Sequence, residues 1–242
     1  MKKEEINLLN LDRIKKNLRS FEKDRHPLER YASFDYCFNY FQEKYKNGEI
    51  KTIVKDSKNI QLSCLQLGFY LASWGMYRGS TFLLQKSVKI FEPLIQYVAS
   101  DECDVWSIDV NEYTDDNIEK LIKCGKRIEK ELGMHKTKKA GVDKIKKATD
   151  TLITKIMLGV FGNMPAFDGY FRSGSNLGTF NKHSLKEISS FYDKYEKIIS
   201  DEATRIKTFE YPSGEAGSRS YTKAKIVDMI FFIEGYENDK SL

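Results

Sequence analysis

The stretch Ile60-Gln61-Leu62-Ser63-Cys64-Leu65-Gln66-Leu67-Gly68-Phe69-Tyr70-Leu71-Ala72-Ser73-Trp74-Gly75-Met76 decides the architecture. Its apolar residues fall on most sides of a helix, and such a helix belongs in the middle of a domain. The flanking segments supply its cover. Tyr31, Phe34, Phe38, Phe41 and Tyr45 recur at spacings of three or four, which predicts a helix with a buried aromatic stripe. Upstream, residues 6–21 place Ile6, Leu9, Ile14, Leu18 and Phe21 near one helix face.

The same reading continues downstream. Phe82 to Val98 reads as a mostly apolar helix that Pro93 kinks or splits. Thr114-Asp115-Asp116 opens a helix that stops at Gly133, because a hydroxyl cap and carboxylates suit the positive end of a helix dipole. Val142, Ile145, Ala148, Leu152, Ile156 and Val160 keep one apolar phase as far as Gly162. Ser184-Leu185-Lys186-Glu187 reads as a capping box, and Tyr221 to Gly235 as a last apolar helix. Residues 101–113 fit a short strand or an extended loop, while 163–181 and 210–220 read as loops. The expectation is an all-α compact globule of about eight or nine helices, a single domain arranged as two lobes with a cleft.

Composition agrees and excludes several classes. Of 242 residues, 40% are hydrophobic and 13% aromatic, enough to bury a core and too many for a disordered chain. Lys+Arg 40 against Asp+Glu 35 gives +5, a balance that permits a polyanionic partner without demanding one. Cys37, Cys64, Cys103 and Cys124 form no C-x-x-C and no ligand-like spacing with His26, His135 or His183, so neither a metal site nor a cofactor is expected. Charged residues at the start and the lack of a long apolar run imply a cytoplasmic protein with reduced thiols and no membrane partner. No Gly-rich phosphate loop and no G-x-S-x-G elbow occurs.

Two stretches carry candidate chemistry. Ser73-Trp74-Gly75-Met76-Tyr77-Arg78-Gly79-Ser80 sets an arginine between glycines beside hydroxyls, which suits a close approach to an anion. Its plainer reading is a helix-ending turn with Trp74 in the core and Arg78 paired to a carboxylate. Gly159 to Phe171 ends an apolar helix at Gly162, passes Pro165 and sets Asp168 between aromatic residues. Asp168 there either caps the next helical turn or acts on a developing cation.

Thr151-Leu152-Ile153-Thr154-Lys155-Ile156-Met157-Leu158-Gly159 followed by Pro165-Ala166-Phe167-Asp168 resembles the second half of the helix-hairpin-helix DNA glycosylases, over residues 141–172. The resemblance implies a two-lobed helical enzyme that flips a damaged or modified DNA base and hydrolyses its N-glycosidic bond, in repair or phage defence. Asp168 then stabilises the oxocarbenium-like sugar or orients water. Lys147 and Lys155 are the candidates for the lysine nucleophile of bifunctional members, and a purely hydrolytic enzyme needs neither. The hairpin's L-P-G-V-G signature is absent. Phe34, Asp35, Asn39 and Trp74 are candidate base-binding residues; Arg78, Ser80, Lys144 and Lys146 are candidates for the nucleic-acid backbone. Two rivals stand beside this reading. One is a non-enzymatic helical interaction protein that uses Trp74, Arg78 and residues 169–181. The other is an all-α nuclease or toxin of a phage-defence system, with Asp35 and Asp228 joining Asp168 around a metal. The oligomeric state is not legible.

Overall fold

A computed structural model describes residues 4–79, 81–133, 135–139 and 142–240, with strand positions 135–139 and 142–146 described as backbone alone. The chain runs α1 (Leu11–Lys23), α2 (Ala32–Lys46), α3 (Ser57–Ser73), α4 (Glu92–Val98), α5 (Asp115–Leu132), β1 (His135–Lys139), β2 (Val142–Lys146), α6 (Asp150–Phe161), α7 (Gly169–Ser175), α8 (Lys182–Arg205), β3 (Lys207–Phe209), β4 (Ala216–Ser220) and α9 (Lys223–Lys240). The chain is all-α, with two antiparallel two-stranded hairpins, β1–β2 and β3–β4, as its described strands. No described helix is long and apolar enough to cross a membrane.

Two helices are enclosed on every side. Leu152 to Phe161 of α6 and Ala224 to Gly235 of α9 are buried without a break. Both carry charged residues inside those runs: Lys155 on α6, and Lys225, Asp228 and Glu234 on α9. A buried charge must find a partner, so these four residues mark where the interior is polar. Around them α1 and α5 are amphipathic, and the buried apolar residues form one connected core. Tethers reach across the chain: Arg13 of α1 donates to Glu234 of α9, and Asn17 donates to the Ile230 carbonyl and to Glu234.

Several boundaries are those the residues dictate. The Thr114 hydroxyl accepts from the Asn117 amide, and α6 ends at Gly162 in the left-handed conformation. Others differ. Residues 82–98 form two short 3-10 turns and the short α4, because Pro93 sits in the first turn of α4, where its missing N–H is harmless. The apolar phase from Val142 does not continue one helix. Thr149 caps α6 by accepting from Leu152, and residues 135–146 before it pair as a hairpin, His135 opposite Lys146. The expected loop at 163–181 contains α7. The expected loop at 210–220 contains β4, which pairs with β3. At α8 the cap is Asn181, which accepts from Ser184, while Glu187 accepts from the Ile6 amide instead of closing a capping box.

Candidate functional site

Three of the four charged residues enclosed in α6 and α9, Lys155, Lys225 and Asp228, meet at one crevice. Tyr70 and Trp74 reach it from the end of α3, Lys155 and Leu158 from α6, Ala166 and Asp168 from the turn before α7, and Lys225, Asp228 and Phe232 from α9. One helix end and one helix start make this possible. Gly162 stops α6, and Asp168 starts α7 as its cap by accepting from the Phe171 amide at 3.0 Å. The thirteen-residue return brings the Asp168 carboxylate back onto Lys155, midway along α6, at 2.8 Å.

A second ion pair lies beside the first. Lys225 Nζ is 2.7 Å from Asp228 Oδ2, and the other Asp228 oxygen accepts from the Ala166 amide at 2.9 Å. Both ammonium groups flank one indole: Lys155 Nζ lies 5.1 Å from the Trp74 ring centre and Lys225 Nζ lies 5.7 Å from it. Lys225 also sits over Phe34 at 4.6 Å and over Phe21 at 5.0 Å. Cation–π contacts of this kind recover part of the desolvation cost of a buried ammonium.

The walls are aromatic and tight. Trp74 stacks on Tyr31 with ring centres 5.4 Å apart and meets Phe232 edge-on at 5.6 Å. The Tyr70 ring lies against α6 at Gly159, where a Cβ would overlap it. Burial, with the charges of Asp228 and Asp168 added, pushes the Tyr70 phenol well above its ordinary range and keeps it neutral. Trp74 Nε1 is buried with no acceptor among the described residues. The free space is about 10 Å³, room for one water molecule.

The structure brings three of the sequence candidates together: Asp168, Lys155 and Trp74. Asp168 proves to be both helix cap and crevice carboxylate. Lys147 is elsewhere, exposed, with its ammonium 3.6 Å from Glu129. Phe34 stands behind Lys225 as packing. Asp35 is fully buried and accepts from Arg25, Tyr221 and the Phe209 amide, while Asn39 bonds to Thr208 and Phe209; both fasten the β3–β4 hairpin to α2. Neither lines the crevice. Arg78 is exposed and is not ion-paired to a carboxylate among the described residues. Ser80 lies outside the described residues, and so do the side chains of Lys144 and Lys146.

Lys225 escaped the sequence reading. Its signal was a lysine and an aspartate three apart, Lys225 and Asp228, inside an otherwise apolar helix. Among the described residues no group of three or more His, Cys, Asp or Glu side chains is arranged to hold a metal ion; Asp35 and Asp228 are committed to separate cations. Set against known proteins, the chain matches no family model, no curated protein and no solved structure.

Proposed function

We propose that the chain is a DNA glycosylase-like enzyme that hydrolyses the N-glycosidic bond of a flipped, damaged or modified base at this crevice. The observation that carries the reading is the pairing of Lys155 with Asp168 at 2.8 Å against the Trp74 ring, beside the second buried pair Lys225–Asp228. Asp168 faces the sugar and stabilises positive charge as the bond to the base lengthens, an effect strengthened where water is excluded. The ammonium groups of Lys155 and Lys225 donate to the heteroatoms of the departing base, and Trp74 and Tyr70 supply flat walls for it. Entry of a base requires Trp74 to leave its stack on Tyr31, since the closed crevice holds only a water.

The test is base release. Protein is incubated with unmodified, oxidised, deaminated, alkylated and phage-type modified DNA, and abasic sites are scored by alkaline cleavage. Abasic sites from one substrate, reduced at least about a hundredfold in Asp168→Asn, are expected. Full activity in Asp168→Asn removes that residue from the chemistry, and no release from any DNA removes the enzyme.

One observation favours a second reading, a helical interaction protein. Leu62, Leu65 and Phe69 stand on the outer face of α3 at 45%, 47% and 68% exposure, and Tyr211 beside them at 80%. With Tyr36 and Tyr40, three of these four, Leu65, Phe69 and Tyr211, line a groove of about 850 Å³. Exposed apolar side chains grouped along one groove suit a contact surface, here interspersed with Glu43, Glu210 and Arg219, and they lie on α3 and at Tyr211 rather than at Trp74 and residues 169–181.

A further inference from the structure

A groove of about 790 Å³ runs between α1 and α8, both of which pack on α9. The two helices are tied at either end of it. At one end the Tyr195 hydroxyl donates to the Leu9 carbonyl, and at the other Arg205 lies 2.6 Å from Glu22. The chain runs the same way between the ties on both sides, so the helices are parallel. At about 1.5 Å per residue, Tyr195 to Arg205 makes the groove about 15 Å long.

One face of each helix forms a wall. Leu11, Lys15, Leu18 and Glu22 follow one another at spacings of four, three and four, and so do Lys194, Ile198, Asp201 and Arg205. The apolar part of the lining is Leu18 and Tyr195, which are buried, Ile198, which is half-buried, and Leu11, which is 51% exposed. The charges are ordered along it. On both walls the cations come first and the carboxylates last, toward Arg205: Lys15 and Arg19 precede Glu22, and Lys194 and Lys197 precede Asp201 and Glu202. The carboxylates are already engaged. Arg205 holds Glu22 and Glu202, and Lys197 lies 3.6 Å from Asp201. Lys15, Arg19 and Lys194 are exposed and, among the described residues, are not ion-paired to a carboxylate.

We infer that this groove docks an amphipathic helix of a partner protein, about three turns long, with an apolar stripe against Leu11, Leu18 and Ile198 and carboxylates where it passes Lys15, Arg19 and Lys194. Two parallel walls with an apolar lining receive a third helix, and the uncompensated cations select an acidic one. A nucleic-acid strand suits the groove less: its charge is uniform, so phosphates would face Glu22, Asp201 and Glu202, and its backbone offers no apolar stripe to the leucines. The inference does not depend on base release at Asp168.

The test uses a fluorescein-labelled helical peptide of about fourteen residues, with leucines at spacings of three and four, glutamates beside them in its first two turns and glutamines after. Its binding to the full chain is read by fluorescence anisotropy. Saturable binding that weakens as salt rises is expected. Lys15→Glu with Arg19→Glu on one wall, and Lys194→Glu on the other, are each expected to lower affinity at least about tenfold, with thermal melting unchanged because all three side chains are exposed. Lys58→Glu, at an exposed lysine on α3, leaves binding as it was. Equal binding of a peptide with lysines for its glutamates, or of one with serines for its leucines, overturns the inference, as does unchanged affinity in both sets of groove variants. A short labelled single-stranded DNA that binds the unaltered protein and is lost in Lys15→Glu with Arg19→Glu, while the peptide does not bind, makes the groove a nucleic-acid site and overturns the helix.

Discussion

At the scale of single residues, the two lysine–aspartate pairs are the features with the largest energetic consequence. Taking one partner from a buried pair leaves an uncompensated charge, at a cost of about 3–5 kcal/mol. Lys225→Met is therefore expected to lower unfolding stability by about that much in urea titrations, and Lys225→Met with Asp228→Asn to recover most of it. A single-variant loss below about 1 kcal/mol would show the pair to be nearly independent. Asp168 and Trp74 were legible in the sequence because each sits next to a glycine at a helix end, where local rules speak, whereas Lys155, inside α6, was named only through the resemblance. Lys225 was not. Nothing local distinguishes a lysine buried in α9 from one that reaches solvent, and its burial follows from helices packed around it from distant parts of the chain.

At the scale of elements, the tie between α1 and α9 carries a pH signature. Burial pushes the Glu234 carboxyl up, but the hydrogen bonds from Arg13 and Asn17 and the Arg13 charge outweigh it, so the group lies below its ordinary value of 4.5. Its folded form thus binds fewer protons than the unfolded chain, and its stabilising contribution is complete above 4.5 and lost as pH falls through the folded value. Glu234→Gln should flatten the fall in melting temperature on the acid side of 4.5; an unchanged profile would place the acid sensitivity elsewhere. Asp35 has the opposite sign. Burial holds it above 3.8 despite Arg25, Tyr221 and the Phe209 amide, so its contribution diminishes as pH rises through that window. The helices themselves were readable from apolar periodicity and caps. The hairpins were not, because β1–β2 carries lysines at half of its strand positions and β3–β4 is fixed to α2 by Asp35 and Asn39, contacts about 170 residues apart in the chain. The short α7 was hidden for another reason: it contains two glycines and depends on its Asp168 cap.

At the scale of the whole molecule, the closed crevice makes opening a requirement of the proposed activity. The chain has two tryptophans, and Trp106 is buried against Tyr45 and Phe161, away from the crevice. Trp106→Phe leaves Trp74 as the sole indole, so its emission reports the crevice directly. Binding of a DNA that the protein cleaves is expected to change that emission and its quenching by acrylamide. Bound DNA with unaltered Trp74 emission would mean that no base reaches the lysines. The joining of α1 to α9 has one more consequence, for the order in which the molecule comes into being. The apolar face of α1, with Ile14, Leu18 and Phe21, meets its partner only when the last helix has left the ribosome, and Lys225 arrives over Phe21 at the same moment. Until then Tyr31, just downstream, stacks on Phe21 but α9 is missing, so α1 is a stretch a chaperone would hold during synthesis.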